Sequence, residues 1–113
     1  MFRVIALFAA MMQTPVEAQV VVASWYAQPG LMANGARYDP KKLTAAHKHL
    51  PFGTRLKLRY KDKKCSVLIT DRGPFVRGRD LDLSKAAAKI LGIDGIGNVE
   101  ILATIPVKVR KKS

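Results

Sequence analysis

Alternating apolar and polar residues predict short β-strands along most of this chain. The clearest alternation covers residues 55–60, where basic side chains occupy every second position and apolar side chains the positions between. A period of two is that of a strand with one buried face. The β-branched and aromatic run 20–26 predicts another strand, and residues 66–70 predict the strand that returns after the polar turn 61–64. Residues 55–70 therefore form a predicted β-hairpin.

A single short helix interrupts this β pattern. Ser84 is a good N-cap for residues 85–91, and Gly92 is placed to end the helix. Residues 99–107 are a last β-rich run, interrupted by Pro106. Many short strands separated by Gly and Pro turns, with one brief helix, predict a mainly β chain that closes into a small β-barrel, because closure leaves no strand edge exposed.

The first 18 residues have the pattern of an export signal. Arg3 supplies a positive start, residues 4–12 are uniformly apolar, and Pro15 then breaks the run. Val16 and Ala18 suit the positions before a cleavage site. An amphipathic or buried first helix is the alternative. The predicted division is a signal peptide at 1–18, a barrel domain at 19–107 and a basic tail at 108–113.

The apolar run 4–12 also bears on the membrane. Nine residues are too few to cross a hydrocarbon core about 30 Å thick. No cysteine follows the run, so the sequence predicts no lipid attachment there. We expect a soluble exported monomer, in the periplasm or secreted, with no stable membrane anchor.

Chain length and net charge narrow the class of protein and the kind of partner that it binds. A chain of 113 residues accommodates one domain, which excludes a two-domain enzyme and a repeat array. Twenty Lys and Arg against eight Asp and Glu give a net charge of +12, which favours an anionic partner such as nucleic acid, acidic lipid or acidic wall polymer. Export disfavours nucleic acid. Cys65, the only cysteine, excludes an internal disulfide, and either a buried inert thiol or an intermolecular bridge remains open.

Two histidines lie in the segment LTAAHKHLPFG. His47 follows two alanines and precedes a Pro-Phe-Gly turn, so its ring is expected at a rim, where it donates to a ligand, tunes a carboxyl group or makes a structural hydrogen bond. His49 is expected on the surface. No third ligand of suitable spacing accompanies the pair, so the sequence predicts no metal site.

Two further segments contain acidic residues. Asp71 ends an apolar strand and enters the Arg-Gly-Pro turn of ITDRGPF, where it is either a general acid or the cap of its own turn. In RDLDLS, Asp80 and Asp82 alternate with leucines and share one face. If that face borders a cleft, Asp82 and Asp71 are a carboxylate pair of the kind used in glycosidic cleavage. Ion pairs with nearby cations are the alternative.

Four segments together resemble the rare lipoprotein A family, in the same order. They cover residues 23–105 and read ASWYAQPGLMANGARYD, LTAAHKHLPFGTRLKLRY, ITDRGPFVRGRDLDLSKAAAKILG and GNVEIL. The resemblance implies a six-stranded double-psi β-barrel, as in barwin-like proteins and expansins. It also implies a lytic transglycosylase that acts on the peptidoglycan glycan strands of the bacterial envelope, preferring strands without stem peptides, and that needs no cofactor.

The resemblance assigns roles residue by residue. The histidine of the family's AAH segment falls on His47 and the aspartate of its DRGPF segment on Asp71, and both are expected to be catalytic. The aspartate of its IDLS segment falls on Asp82, which we expect to organise the cleft. The residues expected to bind substrate are Asp82, Trp25, Tyr26 and Arg72.

Three features depart from the family pattern. The family has a glutamate directly after the Asn-Gly of its ANGE segment, whereas this chain has Ala36, which holds no charge. The family's lipid-attachment cysteine and the peptidoglycan-binding repeat domain of many members are also absent from this sequence. The sequence therefore favours a minimal exported enzyme, with a non-catalytic, expansin-like wall-binding module as the alternative. In the alternative, Trp25 and Tyr26 stack on sugar rings, and acidic wall polymer binds the cations that are listed here: Arg55, Lys57 and Arg59.

Overall fold

The computed structural model describes residues 19–27 and 30–107. The predicted signal peptide and basic tail lie outside the described residues. The elements, in chain order, are β1 (Gln19–Tyr26), β2 (Thr44–His47), β3 (Arg55–Tyr60), β4 (Lys63–Asp71), β5 (Leu81–Ser84), α1 (Lys85–Leu91) and β6 (Gly97–Ile105). The strands close into a barrel in the order β1-β5-β2-β4-β3-β6. The prediction of a mainly β, closed six-stranded barrel with one short helix is confirmed for this part of the chain.

Strand pairing combines long-range parallel and antiparallel contacts. β1 pairs in parallel with β5 and β2 in parallel with β4, whereas the remaining neighbours are antiparallel. β3 and β4 form the predicted hairpin, with β4 longer than expected at both ends. In this closed order, β5 and β2 are neighbours on one side of the barrel, and β3 lies on the opposite side.

Alternation along β3 determines which side chains fill the barrel. Leu56 and Leu58 are fully buried, whereas Arg55 and Lys57, which alternate with them, are exposed. Burying each leucine contributes about 1.5–3 kcal/mol. The largest other fully buried side chains of the core are Ile69, Leu81, Leu83, Leu91, Val67 and Val99.

Helix α1 begins and ends where the sequence predicts. The Ser84 hydroxyl accepts from the N–H of Ala87 at 3.2 Å, and Gly92 ends the helix in the left-handed region with φ 80°. Ala88 and Leu91 are buried against the barrel. No helix within the described residues is long and apolar enough to cross a membrane.

Two sequence features have particular environments in the fold. The thiol of Cys65 is buried, which raises its pKa and matches the inert alternative.

Arg59 forms a bidentate ion pair with Glu100, at 3.0 Å from Nη2 to Oε1. Arg59 is therefore already neutralised within the predicted basic face of β3.

Candidate active site

A row of four residues crosses four neighbouring strands. Ser24 on β1 is opposite Asp82 on β5, Asp82 is opposite Ala46 on β2, and Ala46 is opposite Asp71 on β4. Residues opposite one another in a sheet present their side chains on the same face. Because the adjacent Ala45 belongs to the barrel core, the row faces away from the core. The two aspartates thus flank Ala46 on one face.

A bulge in β4 brings Asp71 into this row. Ala45 pairs with Ile69 but the next residue, Ala46, pairs with Asp71, so Thr70 is the extra residue. The residues that point inward before the bulge are Cys65, Val67 and Ile69. Without the bulge, the same alternation would direct the side chain of Asp71 into the core. The bulge instead leaves Asp71 half-buried at the face of the two carboxylates, consistent with the frequent use of bulges to re-aim side chains.

Asp71 is held by one of its two carboxyl oxygens. Oδ1 accepts from the N–H of Ala33 at 2.7 Å and from the N–H of Arg72 at 2.8 Å. The loop containing Ala33 is tied to β4 a second time, by the N–H of Asn34 donating to the main-chain oxygen of Thr70 at 3.2 Å. Both of these main-chain donors reach Oδ1, and Oδ2 of Asp71 accepts no main-chain hydrogen bond from the described residues. One oxygen thus fixes the carboxyl group while the other is available for proton transfer.

Asp82 has an environment that favours its neutral form. Burial raises the pKa of Asp82, and the negative charge of Asp71 raises it further. Two contacts lower this pKa. The Ser24 hydroxyl donates to Oδ1 of Asp82 at 3.1 Å, and the Arg79 guanidinium attracts the negative charge of the carboxylate. The two carboxyl groups therefore influence each other, as expected of neighbours on one face.

The hydrogen bonds of His47 determine its tautomer. Its Nδ1 accepts from the N–H of Leu50 at 3.1 Å and from the N–H of His49 at 3.2 Å. Because Nδ1 is an acceptor, the neutral ring has its proton on Nε2. Burial lowers the pKa of His47, and electrostatic repulsion by the neighbouring His49 and Arg72 lowers it further. His47 is thus a neutral N–H donor at pH 7.

Arg72 braces the loop that contains His47. Its Nη1 donates to the main-chain oxygens of Leu50 at 2.8 Å and of His47 at 3.2 Å. The guanidinium lies over the ring of Phe52, 4.1 Å from the centroid. These contacts are all with the protein itself, and they connect the Asp71 turn to the His47 loop.

Trp25 and Tyr26 lie on opposite faces of β1, because successive side chains of a strand alternate. Trp25 packs against the barrel core, beside helix α1. Tyr26 shares the face of Ser24, and its ring stacks on Tyr38 with centroids 4.6 Å apart. The structure therefore brings Tyr26, but not Trp25, to the face of the aspartates.

Of the predicted site residues, Asp71, Asp82 and Tyr26 share one face, His47 and Arg72 adjoin that face, and Trp25 lies on the opposite face of β1. Asp71 acts electrostatically on both Asp82 and Tyr26, so these three side chains are neighbours. His47 is one residue beyond Ala46 on β2 and is linked to Asp71 through Arg72 rather than directly. Ser24, Tyr38 and Phe75 were missed by the sequence analysis. Phe75 ends the DRGPF segment that begins with Asp71, and its ring is 86% exposed. Its place in that motif was the signal from which it could have been predicted.

Ala36 lies in the same loop as Ala33. It is exposed, its N–H bonds to the side-chain oxygen of Asn34 at 2.9 Å, and its carbonyl accepts from the N–H of Met32 at 2.7 Å. A larger side chain at position 36 would therefore project from an exposed turn, and this turn belongs to the loop that is hydrogen-bonded to Asp71.

Known proteins resemble this chain in sequence and in fold. The family model described as lytic transglycolase matches residues 18–103. The probable endolytic peptidoglycan transglycosylase RlpA of Synechocystis sp. is 49% identical over 88 residues, which are 71% of this chain and 27% of that protein. The endolytic peptidoglycan transglycosylase RlpA of Vibrio cholerae is 44% identical over 101 residues, covering 80% of this chain and 38% of that protein. The chain thus spans less than two-fifths of either relative.

A solved structure supports the fold. The Streptomyces papain inhibitor is superimposed with a TM-score of 0.62 at 21% identity, over 79% of this chain and 94% of the inhibitor. The expected double-psi β-barrel is thereby confirmed. With its sequence matched from the first strand to the last, this chain belongs to the lytic transglycolase family.

Proposed function

We propose that this protein is an endolytic lytic transglycosylase that cleaves the bond between N-acetylmuramyl and N-acetylglucosamine residues of peptidoglycan. The observation that carries the proposal is the arrangement of Asp71, whose Oδ1 is fixed by two main-chain N–H groups while Oδ2 accepts no main-chain hydrogen bond from the described residues. The names of the relatives, which are endolytic peptidoglycan transglycosylases, support the same reaction class.

In the proposed reaction, Asp71 acts first as an acid and then as a base. Its neutral carboxyl group protonates the glycosidic oxygen as the bond to the muramyl C1 breaks. The resulting carboxylate takes the proton from the C6 hydroxyl of the same sugar, whose oxygen bonds to C1 and closes a 1,6-anhydro ring. The proton lost in the first step is regained in the second and no water is consumed, so one carboxyl group suffices.

The neighbouring residues supply orientation. His47, as a neutral Nε2–H donor, is suited to hold a sugar oxygen without competing for the proton that Asp71 transfers. Asp82, with its raised pKa, lies across Ala46 from Asp71 and lines the same face. Phe75 presents an exposed ring to the apolar face of a sugar.

The cellular setting belongs to the same proposal. We place the protein outside the cytoplasm, as a soluble monomer in the periplasm or secreted, acting on glycan strands without stem peptides. The predicted export signal and the wall-directed names of the relatives support this setting.

One assay tests the function and its alternative. The purified protein is incubated with peptide-free glycan strands and the products are analysed by mass spectrometry, with Asp71→Asn as the inactive control. We expect new 1,6-anhydro-muramyl ends. Hydrated reducing ends would identify a hydrolase. The absence of new ends, with glycan binding retained, would support the expansin-like binding module, which the uncharged Ala36 favours.

A further inference from the structure

One buried hydroxyl group has no assigned function in the proposed reaction. The phenolic oxygen of Tyr26 is inaccessible to solvent and has no hydrogen-bond partner within the described part of the chain. Buried tyrosine hydroxyls are ordinarily hydrogen-bonded, so an unpartnered one beside a functional group requires an explanation. A hydroxyl that solvent cannot reach is also poorly placed to contact a sugar, contrary to the stacking expected from the sequence.

The Tyr26 ring is fixed in place by Tyr38. The two rings stack at 4.6 Å, and the Tyr38 hydroxyl donates to the main-chain oxygen of Tyr26 at 2.7 Å while accepting from the N–H of Lys85 at 3.1 Å. The Tyr26 phenol therefore has a defined direction. Burial raises its pKa, and the charge of Asp71 raises it further, so the phenol keeps its proton and remains a donor.

The carboxyl group of Asp71, which acts on the Tyr26 hydroxyl, has unused acceptor capacity. Its Oδ1 already accepts two main-chain hydrogen bonds, whereas Oδ2 accepts none from the residues described. Asp82, the other carboxyl group on this face, accepts from Ser24. The charged groups around the pair are Asp82 on β5, Arg79 before it and Arg72 next to Asp71.

We propose that Tyr26 is a positioning residue for Asp71, donating a hydrogen bond from its hydroxyl to Oδ2 when that carboxyl group is ionised. The bond would hold the carboxylate in place between the acid step and the base step. The effect on turnover depends on the proposed function, whereas the hydrogen bond itself does not.

A kinetic comparison tests the effect on turnover. Tyr26→Phe removes one oxygen and retains the ring stack. Because a hydrogen bond to a charged group is stronger than one between neutral groups, we expect kcat to fall about 10- to 100-fold with KM changed less than about twofold. Tyr60→Phe is the matched control, since Tyr60 is the last residue of β3 and lies away from the row of Ser24, Asp82, Ala46 and Asp71. It removes the same atom and should leave kcat near the wild-type value. An unchanged kcat in Tyr26→Phe would overturn the proposal.

An NMR titration tests the hydrogen bond without any cleavage assay. The ¹³Cζ resonance of Tyr26 is followed from about pH 3 to pH 6, where carboxyl groups ionise. We expect a titration step that persists in Asp82→Asn and disappears in Asp71→Asn. A step that instead disappears in Asp82→Asn, or no step in the wild type, would refute the contact. If the protein fails to cleave glycan strands but the step is present, the proposed function fails and the hydrogen bond stands.

Discussion

The main-chain N–H of Ala33 donates to Oδ1 of Asp71 at 2.7 Å, and this bond ties the loop between β1 and β2 to the proposed catalytic carboxyl group. Ala36 follows three residues later in the same loop and is exposed. Any charge placed at position 36 is thus on a loop that is anchored directly to the acid.

Restoring the family's carboxylate at this position should raise activity. We expect Ala36→Glu to increase the rate at which 1,6-anhydro ends appear, because the exposed turn accommodates the side chain and the new carboxylate lies on the loop that is anchored to Asp71. Ala36→Gln is the matched control, of similar size but uncharged. An equal rate in both variants and the wild type would exclude a contribution of this position to catalysis.

Removing the acid should abolish most of the turnover. Asp71→Asn retains the shape of the side chain and an oxygen to accept from Ala33 and Arg72, but it cannot transfer the proton. A general acid contributes about 10²- to 10⁴-fold, so we expect kcat to fall by that factor while glycan binding persists. Turnover at the wild-type rate in a variant shown by circular dichroism to be folded would reassign the acid, with Asp82 as the next candidate.

The lowered pKa of His47 predicts a pH-dependent stability. Below about pH 6.5 the unfolded chain binds a proton at His47. The folded protein binds this proton less readily, because the pKa of His47 is lowered in the fold. The free energy of unfolding should therefore fall as the pH drops from 7.5 to 5, and His47→Gln should lose this part of the pH dependence. Urea denaturation of both proteins at the two pH values measures the difference. An identical pH dependence in the two proteins would contradict the neutral state of the half-buried ring.

The raised pKa of Asp82 predicts the opposite dependence. At a pH between the ordinary pKa of a carboxyl group and the raised pKa of Asp82, the folded protein binds a proton at Asp82 more readily than the unfolded chain does. The free energy of unfolding therefore falls as the pH rises through this range. Asp82→Asn keeps an acceptor for the Ser24 hydroxyl and removes the charge. We expect a higher melting temperature than the wild type at pH 7, with the advantage lost near about pH 3. A lower melting temperature at pH 7 would show that the ionised carboxylate stabilises the fold.

The exposed cations of β3 should make wall binding sensitive to salt. Arg55 and Lys57 are exposed, whereas Arg59 is paired with Glu100. Screening acts over about 8 Å at physiological salt and about 3 Å at 1 M, so binding to intact wall should weaken across that range. Arg55→Gln with Lys57→Gln should weaken binding more than Arg59→Gln. Binding that is unchanged up to 1 M salt would rule out an electrostatic contribution.

The sequence by itself determined the local features of this protein. The alternation that buries Leu56 and Leu58, and the cap and stop of α1 at Ser84 and Gly92, depend on residues close together in the chain. The motifs around His47 and Asp71 likewise identified the family, because they are contiguous segments.

Tertiary structure alone decided how the site is assembled. Alternation shows that Trp25 and Tyr26 face opposite ways, but only the packing of β1 against the core decides which of the two faces the aspartates. The bulge at Thr70, which turns Asp71 onto the face of Asp82, arises from the parallel pairing of β2 with β4, and no local pattern predicts it. The closing order of the barrel depends in the same way on contacts between strands far apart in the chain. Such contacts form because closure pairs every strand edge, a property of the whole barrel and of no single segment.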